Sequence, residues 1–164
     1  MLSSQQVSYK WENFSNKFLP LILQHQEELY SLNFKEMEFD LLFFGHIKQW
    51  YLDGIENLDC HSSLLFDSQD QLIGFYLYQK NQTTIYLMQM FVVKEYRGQG
   101  YGQLLLKHYE QSGKEKGATS SFLHASGIND KAISFYKRNQ YFIMDEEMDE
   151  DGSPRYLMFK NLHQ

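Results

Sequence analysis

Cysteine is nearly absent from this sequence. The single thiol among 164 residues, Cys60, excludes an intrachain disulfide framework and a cysteine-rich zinc site. It also favours a reducing compartment, so a cytoplasmic location is expected. Proline is almost as sparse, with only Pro20 and Pro154 to force a break in the chain. No linker, repeat or low-complexity tract is visible, and residues 1–164 are expected to form a single domain. No apolar run approaches the ~18–20 residues that span a bilayer. The stretch from Met1 to Lys10 is too polar for a signal-peptide core, so no membrane association is expected. Basic excess is also missing: 15 Lys and Arg face 21 Asp and Glu, for a net charge of -6. A general nucleic-acid partner is therefore not expected. The acidity is local. Asp145, Glu146, Glu147, Asp149, Glu150 and Asp151 carry it, and the remaining 15 acids balance the 15 bases. Apolar material is plentiful, at 43% hydrophobic and 16% aromatic residues, enough for a core and too much for disorder.

Periodicity divides the chain into three parts. Val7, Tyr9 and Trp11 alternate, which predicts a strand over Gln5–Trp11. Ser15 then suits a helix N-cap, and Phe18, Leu19, Ile22, Leu23 and Leu29 recur at helical spacing. A second helix is expected from Lys35 to Leu52, with Asp53-Gly54 as its stop. The period then changes from helical to alternating. Ser62–Phe66, Leu72–Gln79 and Thr84–Val93 are rich in Ile, Leu, Tyr, Phe and Val and read as an antiparallel meander. Two helix–strand units follow: Gly100–Lys116 with Ser120–Ala125, and Asp130–Asn139 with Tyr141–Met144. Arg155–Phe159 closes the chain as a last strand. The order β-α-α-β-β-β-α-β-α-β-β predicts an α/β fold, an α+β mixed sheet with helices on its faces.

The segment Arg97-Gly98-Gln99-Gly100-Tyr101-Gly102 lies between a strand and a helix. Small residues there let the backbone approach a ligand closely. The unpaired amides and positive dipole of the following helix suit a phosphate, and Arg97 adds a cation. The dinucleotide pattern G-x-G-x-x-G fails because Gln103 stands at its third glycine, and the Walker loop lacks its Lys-Ser/Thr. Arg-x-x-Gly-x-Gly is what remains. Taken alone, it reads either as a phosphate cradle or as a glycine-rich turn without a ligand.

Met90 to Gly102, together with Leu123-His124-Ala125-Ser126-Gly127-Ile128-Asn129-Asp130 and on to Tyr136, resembles the GNAT superfamily of acyl-CoA-dependent N-acyltransferases. The resemblance covers roughly Val7 to Phe159. It implies that the strand ahead of the glycine loop splays from its parallel neighbour and receives pantetheine on the backbone of Phe91, Val92 and Val93. The pyrophosphate would sit on the amides of Gly98, Gln99, Gly100, Tyr101 and Gly102, with Arg97 at the start of the loop. Asn129 would lie by the pantetheine arm, a role compatible with capping the helix that begins at Asp130. Tyr136 would protonate the departing thiolate, if it is not simply a packing tyrosine; a phenol of pKa ~10 suits that transfer.

Two positions depart from the family pattern. Gln140-Tyr141 replaces a frequent Gly-Phe after the last helix. Gln89 stands where a glutamate often deprotonates the amine, and Gln cannot act as a base. The base is then either water acting through Gln89 and its polar neighbours or His124, an imidazole of ordinary pKa ~6.5. The alternation of Leu123, His124 and Ala125 leaves open which way His124 points. His25, His46, His61, His108 and His163 lack metal-ligand spacing, no metal is expected, and Cys60 lacks an activating partner.

The resemblance thus implies acetyl-CoA as donor, an amine as acceptor and direct attack, with the Val92 backbone near the oxyanion. A non-catalytic acyl-CoA-binding module of the same fold is the alternative. A homodimer is a family expectation. Phe34, Phe39, Phe43, Phe44, Trp50 and Tyr51 in the first helices read mainly as core. The acidic hairpin reads either as a solvated loop or as an attraction for a cationic acceptor.

Overall fold

A computed structural model describes residues 8–34, 41–148 and 152–163, without the side chains of 41–43. β1 (Tyr9–Asn13) leads through a 3-10 turn (Asn16–Phe18) into α1 (Leu19–Gln24), α2 (Gln26–Asn33) and α3 (Leu41–Asn57). The meander follows as β2 (Cys60–Asp67), β3 (Leu72–Asn81) and β4 (Thr84–Val92). Then come α4 (Tyr101–Glu115), β5 (Ser120–Ser126), α5 (Asp130–Arg138), β6 (Phe142–Met148) and β7 (Pro154–Asn161). The strands form one seven-stranded sheet, ordered β1-β2-β3-β4-β5-β7-β6. Only β4 and β5 run parallel, because α4 carries the chain across the sheet between them. This is the mixed α/β sheet that the periodicity predicts.

Several boundaries differ from expectation. The first helix breaks at His25, which closes one turn by donating its amide to Ile22 O at 3.2 Å. Ser15 precedes the 3-10 turn but makes no side-chain capping bond. Of the expected second helix, residues 35–40 lie outside the described residues, as do Gln5–Val7 of the first strand. The helix also runs past Asp53-Gly54 to Asn57. Gly54 is a contact residue there and not a stop: a Cβ on it would lie 3.0 Å from Cys60 Sγ. Cys60 itself opens β2. β6 reaches beyond Met144 to take in Asp145, Glu146 and Glu147, while residues 149–151 lie outside the described residues. Among the described residues, no helix is long and apolar enough to cross a membrane.

Two cores flank the sheet. The first gathers Leu105, Leu106 and Tyr109 of α4 with Ile85, Leu87, Leu123 and Met158 of the sheet. The second gathers Ile22, Leu29, Ile47 and Tyr51 of the early helices with Leu64, Phe75 and Phe91. β4 serves both through one irregularity. Leu77 pairs with Gln89 and Tyr78 with Leu87, so Met88 is an extra residue opposite none, a β-bulge. Before it, Ile85 and Leu87 face the first core; after it, Phe91 faces the second. One added residue has inverted the alternation.

α5 ends in a Schellman motif. Tyr141 N donates to Tyr136 O at 3.0 Å and Gln140 N to Lys137 O at 3.1 Å, which places Gln140 at the left-handed position with φ 74°. A side chain there is strained. Because Gln140 is exposed, Gln140→Gly should raise unfolding free energy by about 1 kcal/mol. Urea denaturation measures this, and an unchanged or lower midpoint contradicts it.

Candidate active site

The parallel pairing of β4 with β5 runs only from Thr84–Ser120 to Leu87–Leu123, although the strands continue to Val92 and Ser126. Pairing stops at the Met88 bulge. The strands part there, and a cleft of about 440 Å³ opens between them, lined by β4, β5, α2, Trp50, Ala132, Tyr136 and Arg155.

Antiparallel geometry decides which backbone groups face this cleft. Val93 N donates to Ile73 O at 2.8 Å, so the odd residues after the bulge turn their polar groups toward β3. Met90 and Val92 therefore present theirs to the open side. Val93 has neither group to offer the cleft, because its carbonyl also accepts from Tyr96 N at 2.9 Å. Phe91 is on the β3 register as well, and its ring is buried in the second core. Of the three backbone positions expected to meet a ligand, Val92 alone turns its polar groups away from β3, as Met90 also does, while Phe91 lines the cleft with its groups on the β3 side.

The glycine loop lies at the end of β4. Gly98 and Gly100 adopt φ of 76° and 90°, which a side chain resists, and beyond their own chain neighbours no atom lies within 4 Å of where their Cβ atoms would be. Gly102 has ordinary φ, and its Cβ would rest 3.6 Å from the Phe135 ring. The first helical bond of α4 runs from Leu104 N to Gly100 O. The amides of Tyr101, Gly102 and Gln103 thus have no intrahelical acceptor. Gln99 folds its side chain back to donate to Glu95 O at 3.1 Å. Arg97 does not project freely. Its Nε donates to Val92 O at 2.9 Å and its Nη2 to Glu28 of α2 at 2.7 Å, while its guanidinium lies over the Phe91 ring.

The cleft's other wall carries Asn129 and Tyr136. Asn129 Oδ1 caps α5 by accepting from Ala132 N at 3.1 Å, as the spacing allows. Its Nδ2 donates to Asn33 Oδ1 at 3.0 Å, which ties the end of α2 to the start of α5. Tyr136 meets Phe135 and Tyr141 edge-on, with centroids 5.3 Å and 5.7 Å away. Burial pushes its phenol above the ordinary tyrosine range, so it stays protonated at neutral pH. The Tyr136 hydroxyl makes no hydrogen bond among the described residues, which leaves it a donor without a partner.

Gln89 is 4% exposed and sits against Gln26 and Tyr51, both 0% exposed. Gln89 Nε2 donates to Gln26 Oε1 at 2.7 Å, and Gln26 Nε2 returns a bond to Gln89 Oε1 at 3.1 Å. Tyr51 Oη donates to the same oxygen at 2.8 Å. The Gln89 oxygen accepts from both neighbours and its nitrogen donates to Gln26, and an amide has no basic site to take a proton. His124 faces away from α4 because Leu123 and Ala125 on either side of it are buried in the first core. It lines the cleft, with Tyr86 Oη on its Nδ1 and Glu147 Oε1 3.0 Å from its Nε2. Tyr86, Gln26, Glu28 and Asn33 did not stand out in the sequence. Alternation could have paired Tyr86 with His124, but only with the β4–β5 register known. Of the aromatics singled out in the early helices, Phe34 and Trp50 line the cleft and Tyr51 is core. Phe39 and the side chain of Phe43 lie outside the described residues. Among the described residues, no group of His, Cys, Asp or Glu could hold a metal.

The chain belongs to the acetyltransferase (GNAT) family, whose profile matches residues 21–141. It is 33% identical over 109 residues to the uncharacterized protein YyaT of Bacillus subtilis strain 168, covering 59% of this chain and 72% of YyaT. Its fold matches the spermidine N-acetyltransferase of Vibrio cholerae solved with CoA and spermine. That match has a TM-score of 0.78 at 15% identity and covers 95% of this chain and 96% of the other. A dodecameric structure of the Vibrio cholerae enzyme matches with a TM-score of 0.75 at 15% identity, over 94% of each chain.

The Gln26–Gln89 pair also makes a stability claim. Gln89→Leu leaves the Gln26 side-chain oxygen and the Tyr51 hydroxyl buried and unpaired, which should cost about 1–3 kcal/mol. Urea unfolding reads the loss, and a variant within about 0.5 kcal/mol of wild type would contradict it.

Proposed function

We propose that this GNAT chain moves the acetyl group of acetyl-CoA to a primary amine by direct attack. The observation that carries this reading is the parting of β4 from β5 after Leu87. It leaves the Met90 backbone and the Val92 amide unpaired on one wall, the Val92 carbonyl being taken by Arg97, and a partnerless phenol, Tyr136, on the other.

The residues present fit acetyl-CoA. Open space above Gly98 and Gly100, together with the free amides of Tyr101 and Gly102, suits the pyrophosphate. Gln99 contributes its backbone, since its side chain is turned back. Arg97 fixes the loop to Val92 and α2, and sets its place more than it supplies a free charge. Asn129 holds the cleft's width through Asn33. When bound, acetyl-CoA supplies a thioester carbonyl open to a nucleophile. The Val92 amide is placed to stabilise charge developing on that oxygen. Tyr136, protonated at neutral pH, supplies the proton the thiolate needs on leaving. His124, on the opposite face of the sheet, is the base, and no protein nucleophile is required.

For the acceptor, exposed Asp145 and Glu146 on β6 favour a cationic amine. The spermine bound by the Vibrio cholerae relative supports the same class. Calorimetry with acetyl-CoA and thiol release with a panel of amines test the reading. Tyr136→Phe should lower kcat by about 100-fold with cofactor affinity retained. No acetyl-CoA binding, or wild-type turnover in Tyr136→Phe, would sink it.

A further inference from the structure

We propose that Tyr86, His124 and Glu147 form a proton relay that deprotonates the acceptor amine, with Tyr86 as the group that touches it. The proposal rests on the acetyl-transfer reading above and adds two residues to it.

The three side chains come from separate strands. Tyr86 is on β4, His124 on β5 and Glu147 on β6. The sheet brings them together just where the β4–β5 pairing ends, since Leu123 is the last paired residue and His124 the next. Both Tyr86 and His124 line the cleft. Tyr136 packs against the first core, on the face that Leu123 and Ala125 share, and His124 points the other way. The proton donor to the leaving group and the relay thus flank one gap from opposite faces of the sheet. Such an arrangement suits direct transfer, because the entering nitrogen and the departing sulfur are different substituents of one tetrahedral carbon and can be met by different groups.

Hydrogen-bond chemistry fixes the direction of travel. A carboxylate only accepts. Glu147 is ionised, its carboxyl held below the usual range by the hydrogen bond to His124. His124 must therefore donate from Nε2, so its Nδ1 is the lone-pair site, and Tyr86 O–H donates to it. The order is hydroxyl, imidazole, carboxylate, in which a third group orients the base. The attacking nitrogen is the neutral form of the amine; as it bonds to the carbonyl carbon, one proton passes from it to Tyr86 Oη and the Tyr86 proton passes to His124 Nδ1. Glu147 then faces an imidazolium. The C–S bond breaks, and the thiolate takes the Tyr136 proton. One proton has left the nitrogen and one has reached the sulfur.

Other charges also act on the relay. Arg155 of β7, paired with Glu147 of β6, opposes the rise that burial imposes on the Tyr86 phenol, while Glu147 adds to it. The Glu147 side chain is 43% exposed and the His124 side chain 20%, so the imidazolium can return its proton to water. Gln89, held by Gln26 and Tyr51, is not a base and takes no proton in this scheme.

Nitrogen-15 NMR of the neutral His124 ring in the wild-type protein without acetyl-CoA should show the proton on Nε2. Tyr86→Phe and His124→Gln should each lower kcat by about 100-fold, and the double variant should be no slower than the worse single. Acetyl-CoA affinity by calorimetry should be unchanged in Tyr86→Phe. A proton on Nδ1, undiminished kcat in Tyr86→Phe, or multiplicative losses in the double variant overturn the relay while acetyl-CoA binding persists. Absence of acetyl-CoA binding by the wild type overturns the transfer reading and the relay with it.

Discussion

One extra residue in β4 governs the molecule. Met88 has no partner on β3, so the strand kinks and its alternation inverts. Three consequences follow. β4 leaves β5 after Leu87, which opens the cleft. Phe91 changes core, which anchors the strand's far half to the early helices. The Met90 backbone and the Val92 amide are left facing a gap that no strand fills. Backbone groups away from water are almost always paired, and a ligand's amides are proposed to complete the sheet there.

The surroundings hold that opening fixed. The reciprocal Gln26–Gln89 amide pair, reinforced by Tyr51, ties β4 to α2 and α3 just beyond the bulge. Arg97 bridges Val92 and Glu28 at the strand's end. Asn33 and Asn129 join α2 to α5 across the cleft. These are polar ties around an apolar gap, and each has a defined geometry that apolar packing alone would not impose. A cleft held in this way needs little rearrangement to receive a ligand.

Much of this was legible in the sequence, and the rest was not for identifiable reasons. Strand and helix periods located the sheet, and the glycines between Arg97 and Gly102 marked a tight loop ahead of a helix. Asn129 announced a cap, and Tyr136 was singled out by its place after it. The bulge was invisible, because β4 remains an unbroken apolar run whether or not one residue is skipped. Without the bulge, the direction of Gln89 and the occupied backbone of Val93 could not be read. The acidic cluster looked like a solvated loop or a substrate lure. Glu147 instead extends β6 and pairs with His124, since its register to Arg155, itself opposite Ser126, puts it on the same face of the sheet. Gln140 looked like a flaw and proved to be a left-handed cap occupied by a side chain.

The central claim is that the unpaired edge of β4 receives the pantetheine of the donor. Residue-resolved amide hydrogen exchange, with and without CoA, tests it directly. The amides of Met90 and Val92 should exchange readily in the free protein and become protected when CoA binds. Val93, bonded to Ile73, should be protected in both states. CoA binding that leaves Met90 and Val92 unprotected would contradict the account.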